Sequence, residues 1–188
     1  MPPSLQPLLS PPQIAEAVAR LAAAIRQDYA GRQPLLVGVL KGAFVFLADL
    51  VRALDMPLSV GFVRLASYRG TGSSGAVQLL CDLQEPVAKR DVLLVEGVVD
   101  SGRTAAWLWQ HLAAQQPASL RLCTLLDKPA RRQVPVQIDY RGFTLPDVFV
   151  VGYGLDCNEQ YRHLPGLYVL QAPGDTASPR GFEPLLPD

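Results

Sequence analysis

The chain of 188 residues has little of several things that would decide its class at once. Its three cysteines, Cys81, Cys123 and Cys157, are scattered and form no CxxC pair, which reads as reduced thiols and not as a disulfide framework. Two histidines are too few for a histidine-based metal centre. Neither sign of charge is in excess, since 17 lysines and arginines face 17 aspartates and glutamates; a general nucleic-acid or membrane surface is not indicated. No run of 18 apolar residues exists, so no membrane span is expected. The start, MPPSLQPLLSPP, has neither a basic end nor a continuous apolar stretch and does not read as a secretory signal, which makes the cytoplasm the expected location. No internal repeat and no second domain are visible.

What is present suits one α/β domain. Apolar residues make up 49% of the chain, enough for a sizeable core. Residues 1–12 read as a proline-rich, loosely ordered arm, and residues 14–29 have helical periodicity. Residues 34–40 (PLLVGVL) form a wholly apolar run of the kind that lies in a sheet covered on both faces. Lys41-Gly42 interrupts it, a helix is expected over 43–54, and a strand over 58–66. The loop YRGTGSSG follows, with a return strand over 77–80. Residues 91–95 (DVLLV) read as a buried strand, EGVVDSGRT as a turn, 105–115 as a helix and 120–126 as the next strand. That succession is a βαβ unit of a parallel sheet. Two short strands are expected at 148–151 and 167–170, and the tail from residue 172, with four prolines in 17 residues, reads as loosely ordered.

The turn after DVLLV carries the chemistry. A loop that leaves a parallel strand and opens a helix aims unpaired N–H groups at one point, and the helix dipole favours an anion there. Gly102 permits close backbone approach, and Ser101 and Thr104 add hydroxyl donors. Glu96 and Asp100 are acids beside a phosphate site, which suits ribose hydroxyls or Mg²⁺. Taken alone, the same residues also describe a capped helix start. A P-loop is absent, because no GxxxxGK[ST] occurs.

VLLVEGVVDSGRT resembles the phosphoribosyl-pyrophosphate signature of type I phosphoribosyltransferases. VGVLKGAFVFLADL, SYRGTGSSGAV, LLDKPARR and GFTLPDVFVVGYGLDCNEQYRHLPGLYVL, in that family's order, narrow the resemblance to its hypoxanthine-guanine branch. The resemblance covers roughly residues 14–170 and implies a central parallel sheet flanked by helices, a small hood and a flexible lid loop. The implied reaction joins hypoxanthine or guanine to phosphoribosyl pyrophosphate with Mg²⁺ as cofactor, and relatives of this kind form dimers or tetramers.

The resemblance also implies roles. Ser101, Gly102, Arg103 and Thr104 would cradle the 5′-phosphate, Glu96 would face ribose and Mg²⁺, and Asp100 would accept the purine proton. Lys128 would donate to the purine 6-oxo group and so reject adenine. Phe149 would stack on the base and the Val150 backbone would read its edge; Asp156 would contact Mg²⁺ and help hold the base pocket. Lys41, Gly42, Ser67, Tyr68, Arg132 and Arg162 would surround pyrophosphate. Without the resemblance, Asp100 is a helix cap, Lys128 and Arg162 are surface cations, Asp156 is a turn residue, and Phe149 and Val150 belong to the core. One departure stands out: the family carries two adjacent acids where this chain has Glu96-Gly97. That departure keeps open a non-catalytic nucleotide- or RNA-binding regulator on the same fold; a transferase for xanthine and a flavodoxin-like nucleotide-binding protein are the other readings at this point.

Overall fold

The computed structural model describes residues 4–67 and 77–171. In chain order the elements are β1 (Ser4–Leu9), α1 (Pro11–Asp28), β2 (Leu35–Leu40), α2 (Phe44–Leu54), β3 (Ser59–Ser67), β4 (Val77–Cys81), β5 (Asp91–Val99), α3 (Arg103–Ala113), β6 (Ser119–Asp127), a 3₁₀ turn (Pro129–Arg131), β7 (Tyr140–Thr144), β8 (Val150–Val151) and β9 (Leu167–Gln171). Six strands form the main sheet in the order β4-β3-β2-β5-β6-β7, parallel throughout except for β4, which returns antiparallel on β3. A second, antiparallel sheet, β1-β9-β8, makes the hood.

Burial explains the layering. Leu36, Leu93 and Leu125 point to the side covered by α1 and α2, whose buried stripes include Ile14, Leu21, Ile25, Phe46 and Leu50. Leu35, Val37, Val92, Leu94 and Leu122 point to the opposite side, against Ala105, Leu108 and Leu112 of α3. Both faces of β2 and β5 are thus dry, as their unbroken apolar runs require.

Three expectations are corrected. Residues 4–9 are not a loose arm but a strand paired to β9, with Pro7 tolerated because β1 is an edge strand. The first helix starts at Pro11, not residue 14, since proline suits the first helical turn and the Gln13 side chain accepts the Ser10 N–H at 2.9 Å. Strand β5 does not stop at residue 95: Glu96, Val98 and Val99 stay in register with Thr124, Leu126 and Asp127 of β6. Strand β7 had no sequence signal, because YRGFT lacks an apolar run. The expected lid loop, beginning at Tyr68, and the tail from residue 172 lie outside the described residues.

Candidate active site

Four of the segments singled out above leave the carboxyl ends of parallel strands, where ligands of open α/β sheets bind, and the fifth runs from β7 through β8 to the loop before β9. Lys41 and Gly42 follow β2, Ser67 ends β3, Asp100 follows β5 and Lys128 follows β6. Of Ser67 only the strand position is described, and Tyr68 lies beyond the described residues.

The anion pocket forms where β5 turns into α3. Glu96, Val98, Asp100, Ser101, Gly102, Thr104 and Ala105 line a cavity of about 80 Å³. Helical geometry leaves the N–H groups of Arg103, Thr104 and Ala105 without intrahelical acceptors, and the first such bond runs from Ala106 N–H to the Gly102 carbonyl at 2.9 Å. The Arg103 N–H reaches Ser101 Oγ at 3.4 Å, while the Arg103 side chain is exposed. Gly102 sits at φ +82°, and a Cβ there would lie 2.4 Å from the Val134 carbonyl, so only glycine fits. The Ser101 carbonyl accepts N–H groups of Gln133 and Val134 at 2.9 and 3.1 Å, which clamps the loop from its outer side.

Glu96 lies at the floor of this pocket, 7% exposed. Its Oε1 is buried and has no hydrogen-bond partner among the described residues. Burial pushes its carboxyl up to about 8, against the opposing pull of Arg132. An orphaned carboxyl oxygen in a phosphate-sized cavity fits a ligand that brings a hydroxyl or a cation. Asp156 is placed differently: its carboxylate pairs with Arg162 at 2.8 Å and accepts the Glu159 N–H at 2.8 Å. No group of three or more acids, histidines or cysteines able to hold a metal exists among the described residues. A divalent cation would therefore rest on one or two carboxylates and on the substrate's own phosphates, the usual arrangement for Mg²⁺.

The purine side is built from β6 and the segment before β8. Lys128 is 7% exposed, and its Nζ donates to the Val148 carbonyl at 2.7 Å. An ammonium has three donors, so others remain for a ligand. Burial pulls its pKa below the usual lysine range, with Asp100 partly opposing. Phe149 is 54% exposed, an unfavourable place for a phenyl ring unless something stacks on it, whereas Val150 is buried in β8. The core reading thus holds for Val150 and fails for Phe149. Asp100 bonds to Arg131 Nε at 2.7 Å, and Arg131 Nη1 bonds to Asp147 at 2.9 Å. Arg131 escaped sequence reasoning, although it stands beside Arg132 in KPARR.

On the third side, Lys41 Nζ pairs with Glu159 at 2.9 Å and Arg162 pairs with both Asp156 and Glu159, so the turn after β2 meets the loop before β9. The Leu40–Lys41 peptide is cis. Arg132 pairs with Asp127 and packs against the phosphate loop, where its Cδ lies 2.9 Å from the position a Cβ on Gly102 would take. A Cβ on Gly97 would fall 2.7 Å from the Gly42 carbonyl, so the residue that replaces the second acid brings two site segments into backbone contact.

The family described as "Phosphoribosyl transferase domain" matches residues 4–158. A hypoxanthine-guanine phosphoribosyltransferase of Mycobacterium avium is 47% identical over 164 residues, covering 84% of this chain and 81% of its own length. The chain belongs to the hypoxanthine-guanine phosphoribosyltransferase family. Among solved structures, a hypoxanthine phosphoribosyltransferase of Staphylococcus aureus superposes with TM-score 0.84 at 39% identity, over 88% of this chain and 91% of that one. The match to the "Bifunctional protein TilS/HprT" of Listeria innocua is 45% identical over 87% of this chain, and the chain spans only about a quarter of that relative's length, 26%. The fold is that of type I phosphoribosyltransferases, as the sequence implied. No described helix is long and apolar enough to cross a membrane.

Proposed function

We infer that the chain acts as a single catalytic domain that transfers phosphoribosyl from phosphoribosyl pyrophosphate to hypoxanthine or guanine, releasing pyrophosphate and forming IMP or GMP, a purine-salvage reaction of the cytoplasm. The observation that carries this is the convergence of an anion pocket, the Asp100 carboxylate and an exposed aromatic ring at one sheet edge. The N–H groups of residues 103–105 would take the 5′-phosphate and leave Glu96 facing the ribose hydroxyls. Asp100 would accept the proton lost by the purine nitrogen as it bonds to C1 of the ribose. Lys128, pinned through Val148 next to Phe149, would donate to the 6-oxo group while the ring stacks on Phe149. Lys41, Arg132 and Arg162 would draw the leaving pyrophosphate; the Lys41–Glu159 pair is exposed, and such pairs are easily exchanged for a phosphate. Mg²⁺, held by the substrate's phosphates with Glu96 and a released Asp156, would supply charge neutralisation of the leaving group. A dimer or tetramer belongs to the same reading.

Nucleotide formation by the wild-type chain and by Asp100→Asn tests it. Wild type is expected to make IMP and GMP, and the asparagine variant to lose roughly 10²- to 10⁴-fold in kcat with donor KM little changed, the usual contribution of a general base. Equal turnover of the two proteins would remove Asp100 from the chemistry, and a wild type that makes no nucleotide would sink the function.

A further inference from the structure

We propose that Arg131 is a positioning residue for this reaction: its guanidinium aims the Asp100 carboxylate and ties it to the wall on which the purine stacks. The proposal rests on the function inferred above.

The placement begins with the backbone. Pro129 opens a single 3₁₀ turn directly after Lys128, and the Arg131 N–H closes that turn on the Lys128 carbonyl at 3.1 Å. Arg131 is thereby fixed to the residue that reads the base. From there its side chain spans two carboxylates from different parts of the chain. Nε donates to Asp100 Oδ1 at 2.7 Å and Nη1 donates to Asp147 Oδ1 at 2.9 Å. Asp100 follows β5 at the phosphate loop. Asp147 stands just before Val148 and Phe149, the acceptor of Lys128 and the stacking ring. Lys128 and Arg131 therefore hold the same short segment by two adjacent bonds, one neutral acceptor and one charged.

The chemistry favours arginine for this work. A guanidinium is planar and presents donors at fixed angles, so two carboxylates bound to it are held in a defined mutual orientation. Stability is not the return: Arg131, Asp100 and Asp147 are 46%, 41% and 58% exposed, and exposed ion pairs contribute little to folding. What the bridge does fix is the rotamer of Asp100. One carboxylate oxygen is taken by Arg131, which leaves the other to meet a purine N–H. The same bond holds the phosphate loop and the stacking segment at one spacing, so that the base and the sugar arrive in register. A small misplacement of reacting groups is costly, about 10²-fold for a shift near 1 Å.

The test is a steady-state comparison of wild type with Arg131→Gln, Arg131→Lys, Asp147→Asn and the Arg131→Gln/Asp147→Asn pair, each with its melting temperature. Arg131→Gln is expected to lower kcat/KM for hypoxanthine by roughly ten- to a hundredfold while the KM for phosphoribosyl pyrophosphate and the melting temperature hold. Arg131→Lys should recover part of the loss, because an ammonium can hold one carboxylate but not orient two. Asp147→Asn should reduce the same parameter less, and the double variant should be no worse than Arg131→Gln, since both changes break one bridge. An Arg131→Gln enzyme with wild-type kinetics, a loss shared equally by the donor KM, or a double variant whose losses multiply would each overturn the proposal. A wild type without activity would instead refute the underlying function.

Discussion

Gly97 shows how far one residue's meaning depends on a contact its neighbours in sequence do not make. Read along the chain, it is a missing acid, and restoring aspartate looks like a gain for ribose and Mg²⁺. In space, a Cβ at this position stands 2.7 Å from the Gly42 carbonyl, closer than real Cβ contacts allow. Gly154 backs the same carbonyl, and a Cβ built there would lie 3.2 Å from it. Gly97→Asp is therefore expected to push the Lys41-Gly42 turn outward, to raise donor KM and to cost about 1–3 kcal/mol, the usual range for overpacking. Kinetics and thermal melts of Gly97→Asp beside Gly97→Ala check this, the alanine isolating the steric part. A lower donor KM with an unchanged melt would contradict it. The same residue scale shows what was legible. Ser101, Gly102 and Thr104 were legible as an anion site because that chemistry follows from strand-turn-helix order, whereas the roles expected of Asp100 and Lys128 came from the family resemblance. Arg131 was not, because its two partners lie 31 and 16 residues away and only folding brings them to one guanidinium.

At the scale of elements, the parallel core was readable and the edges were not. Strands β2, β5 and β6 are apolar runs because both of their faces are covered, and the helices show apolar stripes because one face is. Strand β7 has only the sequence YRGFT, and its place is decided by tertiary bonds. Asp139 supplies one of them, its carboxylate accepting the Leu122 N–H at 2.8 Å. Tyr140 supplies another: its hydroxyl donates to Asp28 at the end of α1 at 2.7 Å and accepts from Arg121 at 2.5 Å. Arg121 also lies over the Tyr29 and Tyr140 rings, 5.6 and 5.9 Å from their centroids. This latch joins α1, β6 and β7 far from the anion pocket. Tyr140→Phe is expected to cost about 1 kcal/mol, less than a fully buried charged bond because Asp28 is 43% exposed. For a domain of this size that is a drop of roughly 2–4 °C in melting temperature, with KM and kcat unchanged. A kinetic defect with an intact melt would mean the latch reaches the site.

For the whole molecule, two dry layers serve to hold one wet edge. The helices cover both faces of the main sheet, and the loops at the carboxyl ends of β2, β5 and β6 converge with the segment leading into β8. Few residues in that cluster are there for stability. Phe149 is exposed, Glu96 has an oxygen with no partner among the described residues, and Lys128 is buried with its charge penalised. Such features are costs to the free protein, and under the proposed function a ligand with an anionic end, hydroxyls, a flat ring and a carbonyl acceptor would relieve all three together. The most direct measurement is kcat/KM for hypoxanthine, guanine, xanthine and adenine side by side, with Mg²⁺ and phosphoribosyl pyrophosphate. The account predicts nucleotide from hypoxanthine and guanine, with adenine disfavoured by roughly 10⁴-fold, because its amino group would face the Lys128 ammonium donor to donor. Adenine used as well as hypoxanthine would contradict it.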